Sequence, residues 1–189
     1  MTDFIALYDS CVLYPAPLRD LLMHLALTDL FRAKWTNEIH EEWITSVLSN
    51  RQDLNRKQLE RARDKMNEHV RDCLVEDYQH LIPQIALPDL DDRYALAAAI
   101  HSNSSVIVTY NLKDFPKRNT DKYFVEAKHP DEFLVSLFDA SPETVCLAAK
   151  RHRVSLKNPP KTVGEYLATL EKHSLSGILI KLEEYSELI

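Results

Sequence analysis

The stretch FIALYDSCVLYP, residues 4–15, decides the fold. Its opening, FIALY (4–8), is a short apolar run of the kind that forms a strand buried on both faces in a parallel sheet. An acid, Asp9, closes that run. A strand ending in a lone carboxylate sets it at the carboxyl edge of the sheet, where open α/β folds bind their ligands. Three further acid-bearing segments follow. NEIHEEW (37–43) carries Glu38, Glu41 and Glu42. PDLDDRYALAAAI (88–100) carries Asp89, Asp91 and Asp92, and VIVTYNLKDFP (106–116) carries Asn111 and Asp114. Four acids meeting at one edge cannot all stay ionised unaided. At roughly 4 Å and an effective dielectric near 20, each like-charged pair costs about 4 kcal/mol. A divalent cation is the usual compensation.

The remaining pattern alternates strands with helices. SVIVTY (105–110) and YFVEA (123–127) read as two more strands. PLRDLLMHLALTDLF (17–31) reads as a helix with Leu18, Leu21, Leu22 and Leu25 on one face. NEIHEEWITSVL (37–48) is a second helix, capped by Thr36. In residues 53–74, Leu59, Ala62, Met66, Val70 and Leu74 trace a third apolar stripe, and RYALAAAIHS (93–102) is a short helix of small residues. Such alternation implies an α/β three-layer domain, a central, mostly parallel sheet flanked by helices with right-handed crossovers. After HPDEFLVSLF (129–138) only helical patterns remain. Ser141 precedes Pro142 at one start, Thr162 and Glu165 have capping-box spacing at another, and ILIKLEEYSELI (178–189) closes the sequence. The boundary falls near residue 139, giving a domain over 1–139 and a helical extension over 140–189.

Composition narrows the chemistry. At 189 residues and 45% hydrophobic, the chain builds a real core. It has only two glycines, Gly164 and Gly177, which excludes a P-loop or dinucleotide fingerprint. Cys11, Cys73 and Cys146 lie far apart with no C-x-x-C, as expected of buried thiols in a reducing compartment. The eight histidines show no ligand spacing, so oxygen donors are left, which suit Mg²⁺ or Mn²⁺ rather than zinc. The N-terminus has Asp3 and no basic residue before Arg19, unlike a signal peptide. The longest uncharged stretch, 94–112, is broken by His101, Ser102, Asn103 and Ser104, so no membrane span is expected and the expected location is the cytoplasm. A net charge of −6 looks wrong for a nucleic-acid binder, yet eight acids fall within the candidate cluster. KRHRVSLKNPPK (150–161) is locally basic, with Arg151, Arg153 and Lys157 as candidate phosphate contacts or a solvated face.

Helical phase chooses among the acids. Ile39, Trp43 and Val47 recur at four-residue steps and face the core. Glu41 then points to solvent, while Glu42 lies about 60° from Ile39 at the core margin. Glu38 sits one turn earlier on the same flank. Asp92 shares a stripe with Leu96 and Ile100 and should project toward the sheet, while Asp89 or, better, Asp91 caps the helix. Asn111 and Asp114 occupy the turn after strand 105–110. Thr109 either hydrogen-bonds a ligand carboxylate or packs.

The order DSCVLYP, I-x-x-E at Ile39–Glu42, DDRYALAAAI and VTYNLKDFP resembles the PIN-domain nucleases, particularly the VapC-like toxin type, over roughly residues 4–138. That resemblance implies a metal-dependent endoribonuclease. Asp9, Glu42 and Asp92 match the first three acids of the family. The family's fourth acid falls where Asn111 stands here, so the fourth ligand is either Asn111 or Asp114, with Asp114 supplying the charge and Asn111 a neutral helper; Asp89, Thr109 and Glu38 are supporting groups. It also implies Mg²⁺ or Mn²⁺, an RNA substrate such as tRNA, a small antitoxin partner and a homodimer. Haloacid-dehalogenase phosphatases need an acid two residues after the first, where Cys11 stands. The rival reading is a catalytically silent PIN-like scaffold that binds RNA or protein.

Overall fold

The computed structural model describes residues 4–189; Asp3 lies outside them. Four parallel strands form the sheet, β1 (Ile5–Tyr8), β2 (Arg32–Lys34), β3 (Val106–Val108) and β4 (Glu126–Lys128), in the order β2-β1-β3-β4. Ala6 is in register with Ala33 on one side and with Val106 on the other. The chain leaves β1 in one direction to make β2, then returns past β1 to make β3. β1 and β3 therefore flank the topological switch point, and the cleft outside their carboxyl ends is the expected ligand site.

Ten helices surround the sheet among the described residues: α1 (Ser10–Leu13), α2 (Ala16–Ala26), α3 (Asn37–Asn50), α4 (Arg56–His69), α5 (Arg93–His101), α6 (Lys117–Thr120), α7 (Pro130–Ala140), α8 (Pro142–Ser155), α9 (Val163–Glu171) and α10 (Ser176–Glu184). Right-handed crossovers running in opposite directions put α2 and α5 on opposite faces. On one face, Tyr8 donates to the Leu22 carbonyl at 3.3 Å, and Phe31 and Phe133 meet edge-to-face at 5.1 Å. On the other, the wholly buried run Ala95–Ala99 lets α5 lie close on β1 and β3. This is the three-layer α/β architecture that the alternation implies.

Several boundaries differ from the sequence reading. The helical pattern of 17–31 ends at Ala26, and the chain forms the strand β2 just after Phe31. The third helix spans Arg56–His69 rather than 53–74, because Asn55 caps it with a complete capping box and Leu74 instead bridges to Trp35. The strand placed at 123–127 forms at Glu126–Lys128, since Tyr123 ends a 3₁₀ turn and Phe124 is left-handed (φ 58°). Thr36 caps α3 by accepting from the Ile39 N–H at 3.1 Å, and Thr162 with Glu165 forms the expected capping box.

The last helices pack back on the α/β layers: α8 on α2 and α7, α9 on α2, and α10 on α7. Both carboxylate oxygens of Asp131 in α7 accept N–H groups at the start of α10, from Gly177 and Ile178 at 2.8 Å each. Anion and helix dipole are matched there.

Candidate active site

Asp9 follows β1 directly and caps α1, accepting the Ser10 N–H at 2.7 Å. Its second oxygen accepts the Thr109 hydroxyl at 2.6 Å and the Cys11 thiol at 3.1 Å. Thr109 leaves the end of β3, so this bond ties the two strands together at the switch point. Its Oγ1 also accepts the Asn111 N–H at 2.9 Å. Of the two alternatives, Thr109 hydrogen-bonds the carboxylate. Burial, then the Asp9 charge, pushes the Cys11 thiol up, so it stays protonated as a donor. Asp9 is only 3% exposed, and its rotamer is fixed from three directions.

Asp92 stands at the N-cap position of α5 with helical backbone angles, yet its side chain makes no capping bond. Neither does Asp91 cap the helix, contrary to expectation. The Asp91 N–H donates to Asp89 Oδ1 at 2.9 Å, closing a turn ahead of the helix. The Asp92 carboxyl is left to face the other acids. Its pKa is pushed up to about 7 by burial first, then by Asp9, Asp114, Asp89 and Glu42. Carboxylates from four separate segments therefore lie within electrostatic reach of it.

Glu42 comes from α3, whose rotation is set by buried anchors. Ile39, Trp43 and Val47 point inward as expected, while Glu41 is exposed and pairs with Arg56 at 2.8 Å. A buried network fixes the helix further. Trp43 Nε1–H donates to His40 Nδ1 at 3.0 Å, so His40 carries its proton on Nε2 and donates it to Asn67 Oδ1 at 3.0 Å. That oxygen also accepts the Trp35 indole Nε1–H at 2.7 Å. Held in this phase, Glu42 accepts a hydrogen bond from the Tyr94 hydroxyl of α5. Tyr94 was not singled out by sequence; its one signal is its place two residues after Asp92. Burial and the Glu42 bond raise its phenol, keeping it a donor.

The supporting residues divide. Asp114, half-buried at the end of the turn after β3, is among the groups acting on Asp92, whereas Asn111 is exposed. Glu38 is not among them; it accepts from Gln79 at 3.4 Å. Of the basic trio, Arg151 and Lys157 are exposed. The Arg153 guanidinium donates to the Lys161 and Ile189 carbonyls at 2.9 and 3.3 Å and so braces the C-terminal helices.

As a donor set, Asp9, Glu42, Asp92 and Asp114 are oxygen-only, the chemistry a hard divalent cation takes. Among the described residues, however, no three His, Cys, Asp or Glu side chains stand close enough together to hold a metal ion as placed. The carboxylates of Asp9, Glu42 and Asp114 act on Asp92 electrostatically, without ligating geometry.

Residues 130–182 match the family described as VapC50 C-terminal domain. A relative in Mycobacterium tuberculosis (strain ATCC 25618 / H37Rv), named "Putative ribonuclease VapC50", is 46% identical over 52 residues, covering 28% of this chain and 31% of that protein. The alignment thus spans about a third of the relative's length. No solved structure matches the chain. The family match falls on α7 to α10 and contains none of Asp9, Glu42, Asp92 or Asp114. The parallel sheet is consistent with a PIN-like fold, and over residues 130–182 the chain is similar to the C-terminal domain of the VapC50 family.

Proposed function

We propose that the chain is a divalent-metal-dependent endoribonuclease that hydrolyses RNA phosphodiester bonds, the toxin half of a toxin–antitoxin pair. The observation that carries this is the carboxyl of Asp92, pushed up to about 7 beside Asp9, Asp114, Asp89 and Glu42 at the carboxyl ends of β1 and β3. A repulsion of this kind is what a bound cation relieves. The ribonuclease name of the relative that matches α7 to α10 supports the same reading.

In this reading Asp9, Glu42, Asp92 and Asp114 hold Mg²⁺ or Mn²⁺. The electrostatic influence of Asp114 on Asp92 favours it over Asn111 as the fourth group. A cation held by these carboxylates would supply charge neutralisation at the scissile phosphate and acidify an attacking water. Thr109 and Cys11 hold Asp9 in one rotamer. Tyr94 steers Glu42 across the gap between α3 and α5. Asp89 adds negative charge behind Asp92, and Arg151 and Lys157 are available for RNA phosphates. The substrate is a structured RNA such as tRNA, the partners are a small antitoxin and a second copy of this chain, and the compartment is the cytoplasm. No helix among the described residues is long and apolar enough to cross a membrane.

One observation favours the rival, a silent RNA- or protein-binding scaffold: no three candidate ligands converge as placed. RNA cleavage with Mg²⁺ or Mn²⁺ decides between them. Asp9→Asn and Asp92→Asn should each lower cleavage by at least about a hundredfold with circular dichroism unchanged, as loss of a charged group at the reacting centre does. If both variants cut as well as the parent, catalysis goes and the binding scaffold stands.

A further inference from the structure

The crossover from β3 to β4 carries a feature that the acid site does not explain. Phe124 is 89% exposed, the most exposed large apolar side chain among the described residues, and its backbone is left-handed (φ 58°, ψ 33°). Glycine or asparagine is the ordinary occupant of such a position, because the left-handed region crowds a Cβ. The fold gains almost no burial from this ring and accepts backbone strain to hold it. On the same crossover stand Lys113, Lys117, Arg118 and Lys122, all exposed. Among the described residues none of the four is in an ion pair. Lys128 pairs with Glu126 at 3.3 Å, and Asp121 is the one exposed acid interrupting the run. Asn119 donates to the Ala86 carbonyl at 2.7 Å and Tyr123 to the Gln84 carbonyl at 3.5 Å, so the crossover is pinned in place rather than free.

Topology fixes where this strip leads. Because β3 and β4 are parallel, the crossover starts at the carboxyl edge beside Asp114 and must return to the amino edge before Glu126, which pairs with Val106. Lys113 stands at the first end and Phe124 at the second. Between the Ser105–Glu126 and Thr109–Lys128 ladder bonds the two levels are about 13 Å apart at strand rise. A single strand covers that distance in about four nucleotides at stacked spacing.

Resting on the ribonuclease reading above, we propose that this crossover is the track for single-stranded RNA leading away from the acid site, with the lysines and Arg118 against its phosphates and one base stacked on Phe124. Aromatic stacking with a cationic groove is how single strands are held without regard to sequence. The positive strip also offsets the acid cluster that otherwise repels a polyanion.

The test is binding of a fluorescein-labelled oligouridylate by the whole protein in EDTA, where metal-dependent cleavage is silent. Phe124→Ser should weaken binding about tenfold, the loss of one stacked base, with little change in salt dependence. Lys117→Ala with Lys122→Ala should flatten the logarithmic salt slope by about 1.4, two phosphate contacts at 0.7 each. Trp35 and Trp43 are fully buried, so the indole introduced by Phe124→Trp is the exposed one. Its emission should quench on RNA binding, and that variant should bind as the parent does. Parent-like binding by Phe124→Ser, or no quenching while RNA is bound, overturns the track. The ribonuclease reading survives that result if Asp9→Asn still abolishes cleavage. A parent that neither binds nor cuts RNA removes both.

Discussion

Asp92 is where folding and function pull against each other. Its carboxyl is raised from 3.8 to about 7 by burial and neighbouring acids. Between those values the folded chain keeps a proton that the unfolded chain has released, so the associated stability is complete below 3.8 and gone once pH rises past 7. At pH 7.5, without metal, Asp92→Asn should therefore be stabilising, by about 1–3 kcal/mol after discounting for partial solvent screening. A thermal melt in EDTA should show Tm higher by several degrees. Millimolar Mn²⁺ should raise the Tm of the parent and leave that of Asp92→Asn nearly unchanged. A lower Tm for the variant in EDTA would mean the carboxylate is a structural group. The inward face of α3 was legible from the four-residue spacing of Ile39, Trp43 and Val47, and Glu42, itself exposed, stands at its margin. Tyr94 was not, because a hydroxyl reaching from α5 to Glu42 depends on two helices whose approach no local pattern encodes. Cys11, spaced like a buried thiol, is half-buried and its Sγ is a donor to Asp9. Arg153 looked like a phosphate contact from its neighbours in sequence and is committed to main-chain carbonyls.

Among the elements, the two glycines of the chain have opposite meanings. A Cβ on Gly177 would sit 2.8 Å from Asp131 Oδ2 and 3.1 Å from Val135 Cγ2, while one on Gly164 meets nothing within 4 Å. Gly177→Ala should push the carboxylate off the first turn of α10, costing about 1–3 kcal/mol in a denaturant titration. Gly164→Ala, in an open helical position, should be neutral or stabilising by up to about 1 kcal/mol. Equal effects would show that the α7–α10 clasp is not what restricts position 177. Long elements with strong patterns, α3 and α5, were legible almost to their ends. The strand β2 was not, because Arg32–Lys34 is three residues long and too short to show a period. It exists because β1 offers an unpaired edge, a property of the sheet rather than of those residues. The caps separate by the same logic. Thr36 and Thr162 satisfy orphan N–H groups and are read locally, but Asp92 takes the cap position without capping because the acid cluster governs its side chain.

For the molecule as a whole, two buried histidines set the acid limit. His40, inside the Trp35–Asn67–Trp43 network, and His152, bonded through Nδ1 to the Tyr166 hydroxyl at 3.1 Å, are each 1% exposed. Burial above all holds both near 4, against an ordinary 6.5. Their neutral forms contribute stability that is complete above 6.5 and is lost as pH falls toward 4, because the unfolded chain takes up protons the folded one refuses. Asp92 works in the opposite sense across the whole of that window, so the scan is cleanest in Asp92→Asn. There, stability should fall between pH 6.5 and 4 with a slope approaching about 2.7 kcal/mol per pH unit for two protons. A flat profile across that range would show that these rings accept protons without disturbing the core. His152 also has a consequence for how the polypeptide could be divided. Between α8 and α9 the segment 157–160 lies open on the surface, and residues on its N-terminal side grasp those on its C-terminal side. His152 holds Tyr166, Arg153 holds the Lys161 carbonyl, and Asp131 holds the head of α10. A protease nick after Lys157 should thus leave two fragments that migrate together, and the halves, expressed separately, should find each other again.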